Sequence, residues 1–270
     1  MHAGAIIGYG ADVRMRRGPR ALWLVRHGQS EGNVIRDAAE AALEERYELT
    51  GRDADVPLSD LGRRQAQAFG RWLAKQPDGE HPTFVLTSPY LRARQTAQCL
   101  LEAAGLDVDI EHDERLRDRE MGEWDGLTWR GVQARHPREA ERGILVGRFY
   151  HRPPGGESWA DMMLRLRSLL ADVALDLAHE RVLVVAHDVP IQLVRAIVDG
   201  LDEEQTIRLV RENAYANCAL TAYERASADG AAAVAAEGGG SFTLTAYNRT
   251  VPVETEGEPA TQERDVPAGR

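Results

Sequence analysis

Two histidines and two arginines stand where short apolar runs of this chain end. Ala21-Leu22-Trp23-Leu24-Val25 runs into Arg26-His27-Gly28. Val182–Ala186 runs into His187-Asp188, and Phe84–Thr87 runs into Ser88, with Arg92 one helical turn beyond. The set suits phosphoryl transfer. Two guanidinium forks neutralise a phosphate dianion and bond its oxygens in pairs. A neutral imidazole nitrogen can attack phosphorus if the other ring nitrogen is held by an acceptor such as a backbone carbonyl. A second histidine, if protonated, adds charge as the transition state forms. A leaving alkoxide needs a proton, so a carboxylic acid is expected nearby. Each residue alone has an ordinary explanation. A histidine after a strand is usually structural or exposed, Arg92 and Arg94 fit a solvated helix face, and Asp188 suits the N-cap of a helix opening at Pro190. The coincidence at three run ends is what points to a site.

Those ends must be brought together by the elements around them. The three apolar runs are bounded by polar residues and suit strands buried on both faces of a sheet. Ser59 is expected to cap a helix reaching about Lys75, with Leu61, Ala68, Phe69, Trp72 and Leu73 on one face. Ser88-Pro89 is expected to start another helix as N-cap and first position, with Gly105 at its end. Ser158 is expected to cap a helix with the apolar stripe Met162, Met163, Leu166, Leu169, Leu170 and Val173. Two alternating runs, 215–223 and 242–247, predict a late β-hairpin with a long loop of low complexity between them. The alternation predicts an α/β fold: a three-layer α/β/α sandwich with a mostly parallel central sheet and a C-terminal β-hairpin. Ligands of such sheets bind beyond the carboxyl ends of the strands, where the histidines and arginines fall.

The 270 residues suit one large domain, expected over 21–248. Residues 1–20 read as a flexible extension within which Met15 offers a second start, and 249–270 as a disordered acidic tail. A net charge of −10 argues against broad nucleic-acid or anionic-membrane binding. The two cysteines, Cys99 and Cys218, form no C-x-x-C, which suggests a reducing compartment. No run approaches the roughly 20 apolar residues of a membrane span. A cytoplasmic location is therefore expected. The eight histidines show no metal-ligand spacing and no Walker-type glycine loop is present, so no metal and no cofactor are expected.

Six stretches, in order, resemble the histidine phosphatase superfamily, the phosphoglycerate-mutase-like proteins. "LVRHGQSEGN" (24–33) resembles the family's R-H-G-x-T/S-x-x-N element, and "LSDLGRRQA" (58–66) its L-x-x-x-G-x-x-Q-A helix start. "TSPYLRARQTA" (87–97) resembles S-P-x-x-R-A-x-Q-T-A, and "LRDREMGEWDGLT" (116–128) resembles L-R-E-x-x-x-G-x-W-E-G. "PPGGES" (153–158) and "VLVVAHDVPI" (182–191) look like the later loop and the second-histidine strand. The resemblance implies that His27 is the nucleophile and forms a phosphohistidine. It implies that Arg26, Arg92 and His187 hold the phosphoryl group, and that Asn33 lies beside the phosphate or substrate. Gln29 and Ser30, in the same element, are candidate substrate contacts.

The chain departs from the family pattern twice. Asp118 stands where the mutase-type branch usually has its proton-donating glutamate, one methylene longer. His187 is followed by Asp188, as in the acid-phosphatase branch, where that aspartate is the donor. Asp118 is favoured, with Asp188 as the alternative acid and Glu120 close in sequence. A cap is expected over about 117–160, where Arg148, Tyr150, His151 and Arg152 are candidate substrate contacts and Glu157 is expected to order the loop. The reaction expected is hydrolysis of a small phosphate monoester, with inorganic phosphate as product and ligand. The alternatives are mutase-type phosphoryl transfer, for which the longer basic cap insert of the cofactor-dependent mutases is not found, and a weakly active phosphate-binding regulatory domain. Nothing in the sequence names the ester or the oligomeric state.

Overall fold

The computed structural model describes residues 18–177, 180–225 and 242–262. Four strands run parallel: β1 (Ala21–Arg26), β2 (Phe84–Thr87), β3 (Ile110–His112) and β4 (Arg181–Ala186). An antiparallel hairpin follows, β5 (Leu220–Arg225) and β6 (Phe242–Arg249). The order is β3-β2-β4-β1-β5-β6, so the three strands whose ends carry the polar residues are adjacent.

Alternation sorts the side chains of the central strands onto two faces. Leu22 and Leu24 of β1 join Val182, Val184 and Ala186 of β4 in one core. That core is closed by α6 (Trp159–Asp176) and α7 (Asp188–Asp199). Trp23 and Val25 join Leu183 and Val185 on the opposite face. There α2 (Asp60–Leu73) and α3 (Leu91–Ala104) pack through Phe69, Leu73, Ala97 and Leu100. The result is the three-layer sandwich with a mostly parallel sheet and a late hairpin. The cap region carries the short helices α4 (Trp129–Arg135) and α5 (Pro137–Val146). None of the described helices is long and apolar enough to cross a membrane.

The caps at Ser59 and Ser158 form, each side chain accepting the N–H three residues on. Gly105 ends α3 in the left-handed conformation at φ 68°. Two expected caps do not form. The helix after β2 starts at Leu91 with Tyr90 before it, and Ser88 Oγ accepts from Tyr90 N–H at 3.3 Å while meeting His187 Nε2 at 2.8 Å. His187, not Asp188, holds the N-cap position of α7, since the chain is still extended there (φ −118°, ψ 168°). Asp188 is the first helical residue, and Gln192 Nε2 donates to its Oδ1 at 2.5 Å.

The tail expected to be disordered from 249 is ordered through 262. Arg249 ends β6, and Val251–Glu254 forms a short helix that buries Pro252 and Val253. Glu256 and Glu258 pair with Lys75 and Arg64 at 2.5 and 3.1 Å, so the acidic residues meet basic partners on and just beyond α2. Of the extension expected over 1–20, residues 1–17 lie outside the described residues, as do the loop over 226–240 and the end over 263–270.

Candidate active site

At the carboxyl ends of β1, β4 and β2 the chain converges on one buried pocket. Arg26, His27, Arg92 and His187 are all buried there. His27 N–H continues the sheet by donating to Ala186 O at 2.9 Å, and Ser88 N–H donates to Val185 O at 3.0 Å. The two imidazoles meet edge to face, with centroids 5.1 Å apart. His27 Nδ1 lies 2.7 Å from Gly28 O, so Nδ1 carries the proton and Nε2 keeps its lone pair. Burial first, then the charges of Arg92, His187 and Arg26, hold the His27 pKa well below 6.5. Burial, Arg92, Arg26 and Arg165 do the same to His187. Both rings are therefore neutral at neutral pH.

The loop under His27 is fixed by close packing. A Cβ on Gly28 would lie 2.4 Å from Gly62 O, and one on Gly62 would lie 1.9 Å from Gln29 O. The start of α2 therefore touches the loop backbone to backbone. Gly28 N–H donates to Thr96 Oγ1 at 3.0 Å, and Gln29 N–H donates to Gln65 Oε1 at 2.9 Å. Asn217 Nδ2 donates to His27 O at 3.0 Å, and Arg26 donates to Tyr215 O.

Arg92 is surrounded by acids. Its Nη1 donates to Asp53 O and Oδ1 at 2.8 and 3.1 Å, and its Nη2 to Asp53 Oδ2 and Asp118 Oδ2 at 3.0 and 3.1 Å. Burial pulls the guanidinium pKa down, but the two carboxylates outweigh it and raise it. Asp118 Oδ2 also lies 3.3 Å from His187 Nδ1, a buried atom that makes no hydrogen bond. Tyr90 stands edge-on to His187 with centroids 5.1 Å apart, and the Arg92 guanidinium carbon lies 4.9 Å from the Tyr90 ring centre. Its hydroxyl donates to Glu120 Oε1 at 3.2 Å.

The structure thus gathers Arg26, His27, Arg92, His187 and Asp118. Other expected contacts are engaged elsewhere. Ser30 and Asn33 close the capping box of α1 (Glu31–Ala41), with Asn33 Oδ1 accepting from Ser30 N–H at 2.8 Å. Gln29 Oε1 accepts from Ser59 Oγ at 2.8 Å. Arg148 stacks over Trp159 at 5.9 Å, and Arg152 pairs with Asp161 at 2.5 Å. Tyr150, His151 and Arg152 line a separate cavity of about 480 Å³ with Glu139 and Arg142, and none of the four central residues reaches it. Glu157 does order the loop. Its carboxylate takes Arg117 and Arg165 and the Glu120 N–H.

Sequence reasoning missed Asp53, Ser88 as a partner of His187, Tyr90 and Asn217. Ser88 and Tyr90 sit inside a recognised motif and were legible as neighbours of Arg92. Asp53 comes from a single 3-10 turn (Asp53–Asp55) that no local signal ties to the site.

The sequence matches the family model described as histidine phosphatase superfamily (branch 1) over residues 22–234. It is 35% identical over 190 residues to a 2,3-bisphosphoglycerate-dependent phosphoglycerate mutase of Methylobacterium radiotolerans, covering 69% of this chain and 82% of the relative. It is 36% identical over 215 residues to such a mutase of Gloeobacter violaceus, covering 77% and 87%. Among solved structures it is similar to mycobacterial glucosyl-3-phosphoglycerate phosphatase in complex with inorganic phosphate. That match has 26% identity and a TM-score of 0.62, covering 87% of this chain and 99% of the other. With the pocket, these matches place the chain in the histidine phosphatase superfamily, branch 1.

Proposed function

We propose that the protein is a phosphatase that hydrolyses a small phosphate monoester through a phosphohistidine on His27. The observation that carries the reading is the buried, neutral His27 whose Nδ1 is held by Gly28 O, set edge-on to His187. His27 Nε2 attacks phosphorus, and the ester oxygen leaves with the bonding pair. Arg26, Arg92 and His187 offset the charge on the equatorial oxygens. Asp118, in its protonated form, gives the leaving oxygen its proton. It then accepts a proton from the water that attacks phospho-His27, releasing inorganic phosphate and restoring the imidazole. Its contacts with Arg92 and His187 favour Asp118 over Asp188, whose Oδ1 is taken by Gln192.

The mutases among its relatives support a second reading, in which the phosphoryl group returns to another hydroxyl. An aryl phosphate separates the two. Vanadate-sensitive release that disappears in His27→Ala supports the phosphatase. Poor release, together with isomerisation of 3-phosphoglycerate after priming with the bisphosphate, supports the mutase. Phosphate binding with neither activity returns the site to a binding domain.

A further inference from the structure

All four terminal N–H groups of Arg92 are already engaged by the protein's own oxygens, three of them by Asp53. A phosphoryl group reaches those donors only by taking over from a carboxylate. Asp53 is the one placed to yield, because its side chain is 47% exposed on a three-residue turn while Arg92 is 5% exposed. A displaced Asp53 leaves its ion pair with Arg92.

Asp53 is not the only acid there. Asp118 shares Arg92, and Glu120 is held by the Tyr90 hydroxyl. Asp125 also faces these acids, and its carboxyl is pushed up to about 6, first by partial burial and then by Asp53, Glu120 and Asp118. The nearby cations are shared with other acceptors, and of them Arg117 also comes within 3.9 Å of Glu120. Arg117 and Arg165 bind Glu157, Arg119 donates to the Glu157 and His151 carbonyls, and Arg52 pairs with Asp55. A buried, unpartnered nitrogen, His187 Nδ1, faces this same space. The floor of the pocket is thus cationic and its rim anionic.

We infer that Asp53, with Glu120 and Asp125 beside it, is a specificity-determining residue that selects phosphate monoesters of uncharged, hydroxyl-bearing alcohols and rejects esters with a second anionic group. A substrate hydroxyl can donate to the displaced Asp53 carboxylate, whereas a substrate carboxylate or second phosphate meets like charge. The inference rests on the proposed phosphatase reading and narrows its substrate class.

Glycerol 3-phosphate and 3-phosphoglycerate test it, since they differ by a hydroxymethyl against a carboxylate on one skeleton. In the wild-type protein kcat/KM for glycerol 3-phosphate is expected to exceed that for 3-phosphoglycerate by about tenfold or more at low salt, and the ratio to narrow as salt is raised. Asp53→Asn is expected to shrink the ratio several-fold, chiefly through a lower KM for 3-phosphoglycerate. Glu120→Gln, from a different segment, is expected to act in the same direction. Equal use of the two esters by the wild type, or ratios unchanged in both variants, overturns the inference. A wild type that releases nothing from an aryl phosphate overturns the phosphatase reading instead.

Discussion

At the residue scale the pocket separates two aspartates that the sequence leaves in competition. Asp118 reaches Arg92 and lies beside His187, while Asp188 opens α7 and engages Gln192. A proton donor matters most when the leaving group is basic. Asp118→Asn is therefore expected to lower kcat on an alkyl phosphate by about a hundredfold or more, and to affect p-nitrophenyl phosphate far less. Asp188→Asn is expected to leave that contrast intact, and steady-state kinetics on both esters reads the difference. The histidines make a second prediction. Each stays neutral well below 6.5 in the folded protein but takes up a proton near 6.5 when unfolded. The unfolded state then binds more protons, so stability falls as pH drops through and below that value. Urea melts at about pH 7.5 and about pH 5.5 are expected to show this loss, and inorganic phosphate to reduce it by neutralising the neighbouring arginines.

At the element scale the active loop depends on how closely α2 approaches it. Gly28 and Gly62 each leave room for the other segment's backbone, and backbone cannot step aside as a side chain can. Gly62→Ala is expected to destabilise the protein by about 2 kcal/mol or more, despite alanine's better helix propensity. It is also expected to weaken vanadate inhibition, because the loop carrying His27 must move. Denaturant melts and a vanadate titration check the two effects separately. The motif L-S-D-L-G shows a helix start, but it does not show that its glycine is a contact surface. That role appears only when residues 28 and 62 are brought together.

At the scale of the whole molecule the C-terminal segment meets the loop that carries His27 from behind. Thr261 O accepts from Asn217 N–H at 2.7 Å, and Thr261 Oγ1 donates to Asn217 Oδ1 at 2.9 Å. Asn217 Nδ2 in turn holds His27 O, and Gln65 joins Thr261 and Pro259 to Gln29 N–H. Thr261→Val is expected to cost about 1 kcal/mol and to lower kcat more than it changes KM, with Thr261→Ser restoring both. Melts and saturation kinetics on an aryl phosphate measure them. Composition suggested a disordered tail because it is poor in aromatics and rich in Pro, Glu and Gly. Residues 249–262 take up defined structure because Val253 finds a buried site and Glu256 and Glu258 find Lys75 and Arg64.

The sequence by itself determined the buried strands, the caps at Ser59 and Ser158, and the polar strand ends that became the pocket. Those are local properties: apolar runs have no other stable place, and a serine before a helical stripe satisfies N–H groups wherever the helix packs. Only the tertiary structure decided that β2, β4 and β1 are neighbours, that Ser88 meets His187, and that Asp53 binds Arg92 across 39 residues. It also decided that Tyr150 and Arg152 line a cavity that Arg26, His27, Arg92 and His187 do not reach. Long-range pairing of charges depends on which surfaces the fold presses together, and one chain's residue order carries no local mark of that choice.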